Sequence, residues 1–490
     1  MKIKMFLPVV ALLSLSLPAM TEASSFQSIG KTGMGGAGVA VTTDSFASYW
    51  NPAGLAFYDK TFNAKFNGGV GYNINSALAE NADKLGKLDF KNPGDLNVSS
   101  ASGTVAALKA AGEAVQFIGI LKDIDNRGGA IVITPGGAFS LQYNNYGLGL
   151  FVTSEMDVYV NNVDNINIMP ADSCTGLATF ASSIGAGAYT SRPTNKIFSD
   201  AQYGSILLAF SGNATVVNAL ESQLAASNKA GLPTDQLAQA LIDLGKSLGG
   251  VNTSIDNNNT SLAVKGLLLS EVPFAYGYKF DLKNFGQLGV GGAFKVIMGT
   301  VYGSILSIQE SKGSDNIVKK MNDTKSNSTS VGLDLGVAWR KELPAVGQFN
   351  AGFVAKNLNS PEFDNPTGFT GKTKVEPQVR MGVAIVPFSW LTIAADLDVT
   401  KNKTLAKDNE IQNLAAGIEL KPLSFFAFRT GMYSNIAESS SGAVGTFGLS
   451  LGPKWLRLDV DGAVATKSAK YKDKSIPREA SVEFGLSSMF

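Results

Sequence analysis

The ionisable residues of the C-terminal half recur at alternate positions of short apolar runs: Asp334, Arg340, Arg380, Asp396, Asp398, Glu419, Arg429, Arg457, Asp459, Asp461 and Glu483. Carboxylates and guanidiniums spaced in this way can pair between neighbouring strands, as charge-assisted hydrogen bonds inside an enclosed space. Such a network more often fills and braces an interior than it binds a substrate. Its functional version would anchor a plug and set what passes. Patterns that could do covalent chemistry are weaker. No histidine occurs, which removes Ser-His-Asp triads, His-Glu-x-x-His zinc sites and histidine-ligated haem. Gly33-x-Gly35-x-x-Gly38 follows no strand of a βαβ unit, so it does not read as a dinucleotide site. Gly448-Leu-Ser-Leu-Gly452 lies in an alternating run with no base to activate Ser450. In Asp123-Ile-Asp125-Asn-Arg-Gly128, Arg127 and Thr134 stand where a calcium loop needs ligands. The expectation is no catalytic residue, no metal and no cofactor.

The elements that carry those charges alternate faces. Val482, Phe484, Leu486 and Phe490 oppose Ser481, Glu483, Gly485 and Ser487, and Leu456, Leu458, Val460 and Val464 oppose Arg457, Asp459 and Asp461. Leu391, Ile393, Ala395, Leu397 and Val399 oppose Thr392, Asp396 and Asp398, while Val379, Met381, Val383 and Ile385 oppose Arg380, Gly382 and Ala384. A period of two places each set on its own side of a strand. A soluble sandwich alternates as well, with its apolar face inward. Here the polar face carries charges of both signs and many glycines, as a wetted lumen would.

Strands are expected near Thr61–Tyr72, Ala130–Gln142, Tyr146–Tyr159, Leu262–Phe280, Leu288–Ile308, Ser330–Arg340 and Gln348–Lys356. They continue near Glu376–Val386, Trp390–Thr400, Gln412–Leu420, Phe425–Tyr433, Ala443–Leu451, Trp455–Thr466 and Glu479–Phe490, about fourteen in all. Tight connections at Asn144–Asn145, Pro387-Phe388-Ser389, Lys421–Ser424 and Gly452-Pro453-Lys454 alternate with long ones at Gln309–Thr329, Asn357–Val375 and Lys401–Ile411. That parity is what short periplasmic turns and longer outer loops produce, and a sandwich gives no reason for it. The fold class expected is an all-β transmembrane barrel of antiparallel strands over residues 61–490. Pro273 cannot donate a ladder hydrogen bond and predicts a bulge or break. Trp339, Trp390, Phe425, Trp455 and Phe490 near strand ends fit an interfacial girdle, with core packing as the competing explanation.

Residues 1–23 read as a signal peptide: Lys2 and Lys4, an apolar stretch from Met5 to about Leu17, then Thr21 and Ala23 as an A-x-A-like cut before Ser24. An uncleaved anchor is the competing reading, but the stretch is short for a membrane helix. No cysteine follows the cut, so no lipid anchor is indicated. The lone Cys174 leaves no intrachain disulfide. A net charge of +1 with 17% charged residues indicates no nucleic-acid partner. Two insertions, near 74–127 and 161–259, hold helical patterns over Val105–Leu121, Val216–Ala226 and Thr234–Leu248. Parity puts both on the outer side.

Residues 24–60 form an expected plug. The stretch Ser28-Ile-Gly-Lys-Thr-Gly33-Met-Gly35-Gly36-Ala-Gly38 precedes Tyr49-Trp50-Asn51-Pro52-Ala53. Glycine permits close packing against a wall, Pro52 fixes φ, and Asn51 offers both a donor and an acceptor. This combination resembles the FadL-like outer-membrane transport proteins, nearest the branch labelled as plasmid-transfer TraF. The resemblance implies a plug that fills the lumen and shifts to admit small hydrophobic compounds. The long insertions depart from the transporters and leave the substrate open. The expected partners are outer-membrane lipid, a small hydrophobic ligand, and the barrel assembly machinery through the strand ending at Phe490. The alternatives are an outer-membrane anchor with a static plug and partner-binding insertions, or a secreted β-rich adhesin.

Overall fold

The computed structural model describes residues 21–22, 26–88, 104–163, 177–248, 259–307, 323–367, 369–405, 409–438, 442–471 and 474–490. Alternating sequences exposed on one face and polar on the other can hide their backbone only by pairing on both edges, and in a membrane every edge must be closed. The chain does this with one closed antiparallel barrel. Its strands are β1 (Phe62–Ile74), β2 (Ala130–Tyr143), β3 (Tyr146–Asn162), β4 (Ser261–Asp281), β5 (Gln287–Ser307), β6 (Ser326–Leu343) and β7 (Gly347–Lys356). They continue as β8 (Gln378–Phe388), β9 (Leu391–Asp398), β10 (Asn413–Leu423), β11 (Phe426–Asn435), β12 (Ala443–Leu451), β13 (Arg457–Ala465) and β14 (Glu479–Met489). Each pairs with its sequence neighbours, and β1 closes on β14 from Asn63↔Met489 to Asn73↔Glu479.

The expected strands are all present, and the tight and long connections alternate around the ring. Two tight turns fall later than the sequence suggested. β8 continues to Phe388 and β10 to Leu423, each with a register shift before the turn, at Ile385/Phe388 and Leu420/Leu423. Pro387 and Pro422 lack the N–H a regular ladder requires, and a local irregularity accommodates them. At Pro273 there is no bulge, because β4 stays in register with β5 throughout. The ladder to β3 instead skips from Leu148↔Phe274 to Phe151↔Glu271, a break on one side only.

The outward set forms a belt of exposed apolar side chains that includes Phe66, Phe294, Leu333, Val383, Phe447 and Phe484. About half of each of these side chains is exposed, which only a lipid surround makes favourable. Near the tight turns, Phe388 stacks on Trp390 with ring centroids 5.3 Å apart, and Trp339 Nε1 donates to the Phe285 carbonyl at 2.7 Å. An apolar body with a polar handle suits an interface.

Helix α1 (Ala47–Trp50) lies in the plug. The insertions carry α2 (Ser76–Lys87), α3 (Thr104–Asn126), α4 (Leu177–Ser183), α5 (Asp200–Ala209), α6 (Ala214–Ala226) and α7 (Thr234–Leu248). The two insertions share one apolar core, in which Val115, Ile118, Phe180, Val217, Leu220 and Leu241 are buried together with Val160 from β3. They therefore form a single cap on the long-loop side. Ser199 and Gln202 close a capping box on α5. Fully buried Glu221 accepts from Arg192 Nε at 2.7 Å, and those hydrogen bonds hold the guanidinium above its usual proton affinity. The Asp123–Gly128 segment is the end of α3: Asp123 pairs with Arg127 at 3.1 Å and accepts from Asn81 at 2.7 Å. The leader and Cys174 lie outside the described residues, apart from Thr21–Glu22, which pairs in parallel with Lys372–Lys374.

Candidate functional site

The plug crosses the lumen and touches the wall on every side, but by two different means. The first is steric. Asn51 is fully buried. Its Nδ2 donates to the Val337 carbonyl of β6 at 3.1 Å and to the Val39 carbonyl at 3.3 Å, while its Oδ1 accepts from the Ala53 N–H at 3.1 Å. An Asn side chain thus caps the 3₁₀ turn Pro52–Phe57 and ties it to the wall. Beneath that turn the wall residues are glycines. A Cβ on Gly277 of β4 would lie 2.8 Å from both the Ala56 nitrogen and the Pro52 oxygen. A Cβ on Gly291 of β5 would strike the Pro52–Ala53 peptide, and one on Gly336 of β6 would strike Asn51. A Cβ on Gly352 of β7 would continue the row, 2.7 Å from the Val39 oxygen. Only a wall without side chains lets two backbones approach this closely.

The second means is electrostatic. Asp396 Oδ2 accepts from the N–H groups of Gly38 at 2.8 Å and Val39 at 2.9 Å, with the carboxylate buried. The Gly35 N–H donates to Thr446 Oγ1 at 3.0 Å. Gly35 has φ +67, and a Cβ there would sit 2.6 Å from the Met432 oxygen, so two constraints require glycine. Gly33 packs on Asp461 and Gly448, and Gly38 lies against the Trp50 ring, whose Nε1 donates to Ile29 at 2.9 Å. Gly36 also has a positive φ, of +81. The Gly33–Gly38 motif therefore serves close approach inside a barrel, with no phosphate-binding turn. On the remaining strands Lys65 pairs with Asp44 at 2.9 Å and Asn63 accepts from the Ser45 N–H at 2.9 Å.

Most of the sequence-derived charges join in pairs. Arg380 meets Asp398 at 2.8 Å, and Arg429 meets Glu419 at 2.8 Å, Asp459 at 3.1 Å and Asp461 at 3.6 Å. Asp459 also takes the Ser450 hydroxyl, which fixes Ser450 as a wall residue. Glu483 faces Thr32 and Gly30 of the plug. Arg340 lies 4.6 Å over the Phe57 ring, and Arg457 donates to the Ser424 carbonyl at 2.6 Å near a tight turn. Asp334 belongs to a cluster the sequence did not reveal: Lys295 lies 3.1 Å from it, 3.2 Å from Glu271 and 2.7 Å from Asn357 Oδ1. Lys356 was missed too. It sits 4.6 Å from the Phe26 ring centre, with Arg380 4.7 Å from the same ring, so two cations clamp one plug aromatic. A lone charge within an otherwise apolar strand, as Lys295 is, was the available signal.

Cavities lie on both sides of the plug. One of about 180 Å³ lies on the cap side, floored by Phe26 and Ile29 and walled by apolar Ile74, Val132 and Val444 together with polar Asn67, Asn73, Arg380, Glu479 and Glu483. Glu479 on its side already takes the Tyr433 hydroxyl and the Asn73 amide. The other, about 280 Å³, lies on the tight-turn side among charged residues.

The toluene transporter TbuX of Ralstonia pickettii matches at 12% identity, over 96% of this chain and 99% of that one, with a TM-score of 0.43. The toluene transporter TodX of P. putida matches at 11% identity, over 96% and 99%, with a TM-score of 0.42. A FadL homologue of Pseudomonas aeruginosa matches at 11% identity, over 96% and 99%, with a TM-score of 0.39. No curated protein matches the sequence. The family described as "F plasmid transfer operon, TraF, protein" matches residues 48–398, from the Trp50-Asn51-Pro52 plug motif through the ninth strand, and the chain belongs to that family.

Proposed function

We propose that this barrel sits in the bacterial outer membrane and admits small hydrophobic compounds past its plug. The cavity on the cap side carries the reading. Phe26 and Ile29 on its floor and Val70, Ile74, Val132 and Val444 on its walls give it apolar surface among polar wall residues, and its volume of about 180 Å³ suits one small molecule. For scale, a dry apolar cavity of roughly 150 Å³ accepts benzene. Among the ionisable groups that reach it, Arg380 is paired with Asp398 and Glu479 takes the Tyr433 hydroxyl, while Glu483 keeps one carboxylate oxygen without a partner; the apolar wall residues are what the cavity offers a hydrophobic ligand. The plug is the gate in this reading, with Asn51, Pro52 and Ala53 on the glycine seat and Gly33, Gly35, Gly36 and Gly38 on the polar wall. The paired lumen charges hold it between passages. Lipid covers the apolar belt, and the assembly machinery engages the strand that leads to Phe490.

Purified protein in liposomes should speed uptake of a fluorescent hydrophobic tracer, and Asn51→Ala should alter the rate. Uptake no faster than in protein-free liposomes would defeat the proposal. A second reading has the barrel as an anchor and the cap as a partner-binding surface. The observation in its favour is that the cap has a core of its own, as a recognition module requires. Removal of residues 161–259 would then abolish partner capture and leave membrane insertion intact.

A further inference from the structure

On β4 and β5 one stretch of the lumen face is apolar. Gly289 and Gly291 lie under the plug and fix which parity of β5 points inward, and a period of two puts Ile297, Gly299, Val301 and Gly303 on that side. Leu269 opposite Gly299 and Leu267 opposite Val301 face inward with them. A polar lumen leaves such a patch in water unless something covers it. The cover comes from the long connections. Phe363 and Val375, after β7, and Leu405, after β9, pack on Leu267, Leu269, Ile297 and Val301, and all seven are buried. Phe363 fills a socket: a Cβ on Gly299 would strike its ring, as one on Gly303 would strike the Phe369 ring. The cover also holds its own shape. Glu362–Asp364 and Lys372–Lys374 pair as an antiparallel hairpin, Thr373 Oγ1 donates to Asn365 Oδ1 at 2.6 Å, and Asn365 Nδ2 donates to the Thr370 carbonyl at 2.9 Å. Its base is fixed to the wall. Lys295 donates to Asn357 Oδ1 at 2.7 Å, and the Asn357 N–H donates to Asp334 Oδ1 at 2.8 Å. Asn357 and Ser360, within that base, have φ of +54 and +52, which residues other than glycine rarely adopt.

We propose that the wall patch around Gly299 is a binding site for a small apolar molecule, with Phe363 as its built-in occupant, and that an incoming molecule takes the place of the ring by lifting the hairpin. The lining selects the class of ligand. Leu, Ile and Val side chains around a bare glycine offer contact area and no polar group, so shape and apolar surface decide what enters. The ring in the socket sets the size, that of one six-membered ring. Apolar contact has no direction, so another apolar group can replace the ring without leaving a hydrogen bond unmade. The strained base beneath a self-bonded hairpin is where the chain bends when the hairpin lifts. The site shares no residue with the cap-side cavity. As a stop on a route for hydrophobic compounds it rests on the function proposed above; as a binding site it is tested apart from it.

The test is calorimetric titration of the full protein in non-ionic detergent with benzene, measured against protein-free micelles. Phe363→Ala leaves a void of the size of the probe and should bind benzene about tenfold tighter than the unaltered chain, in which the ring must leave first. Gly299→Leu added to Phe363→Ala refills the socket and should return the affinity to the unaltered level. A lock serves as the second measurement. The Asp364 N–H donates to Ser328 Oγ at 3.1 Å, so Ser328→Cys with Asp364→Cys, in a chain carrying Cys174→Ser, would tie the hairpin to the wall. Benzene binding at the socket should vanish in the oxidised lock and return on reduction. Each variant is compared as protein that keeps the heat-dependent gel shift of a folded barrel. Unchanged affinity in Phe363→Ala, tight binding that survives Gly299→Leu, or equal binding by the oxidised and reduced lock would overturn the assignment. Tracer uptake by liposomes is read separately. Tighter benzene binding by Phe363→Ala with no uptake by any variant would sink the passage and keep the site, whereas uptake with unchanged binding would sink the site alone.

Discussion

Along β4–β7 the wall meets Asn51–Phe57 with glycine and bare backbone, whereas along β8–β14 carboxylates and hydroxyls bind the plug beside the glycines, Gly417 and Gly431, on which Met34 and Gly35 rest. The glycine arc holds Asn51–Phe57 by shape. Gly277, Gly291, Gly336 and Gly352 leave no room for even a methyl group. The polar arc holds Gly33–Val39 by hydrogen bonds from plug N–H groups to Asp396 and Thr446. Contacts of shape fail abruptly when volume is added, because packed backbones cannot yield. Contacts of charge fail in proportion to the bonds removed. The passage proposed above would release the plug first from the second arc, where each hydrogen bond can be exchanged for water.

Added volume should produce the largest effect. Gly291→Val forces Pro52 off the wall at a cost of ~3 kcal/mol, the upper end for an overfilled core. It should lower the denaturation midpoint and open residues 26–60 to protease; an unchanged digest would break the account of the glycine arc. Asp396→Ala leaves the Gly38 and Val39 N–H groups without their acceptor, and ~2–3 kcal/mol should be lost in denaturant melts. Asp396→Asn keeps one acceptor oxygen and should recover about half of that, which separates hydrogen bonding from charge. Asn51→Ala removes a cap and a wall tie together, ~1–2 kcal/mol by the same measurement. A loss larger than that of Asp396→Ala would reverse the ranking of the arcs. Arg340→Gln, at the rim, should cost only ~0.5–1 kcal/mol through its ring contact.

The barrel was legible because its signal is local and repeated. Alternation such as Val482, Phe484 and Leu486 against Glu483 and Gly485 marks a strand and its faces without any partner, and turn parity counts the strands. Helix α7 was equally plain, with Pro233 before Thr234 and an apolar stripe to Leu248. Where local marks were weak, reading failed. β4 carries Leu267-Leu268-Leu269 and Pro273, which hide its phase, so Glu271 could not be assigned to the lumen nor matched to Lys295, which stands opposite Pro273.

The plug motif was visible as a motif, but its seat was not. Nothing in Gly277, Gly291 or Gly336 distinguishes a glycine beneath a plug from one that eases a strand.

By itself, the sequence determined the period of its strands, and hence which side chains face lipid and which face the lumen. Only the tertiary structure decided who meets whom. Gly38 and Asp396 stand 358 residues apart and meet because the ring closes with one stagger. Alternation specifies a side of the sheet, whereas a partner across a lumen is set by strand register and plug path together.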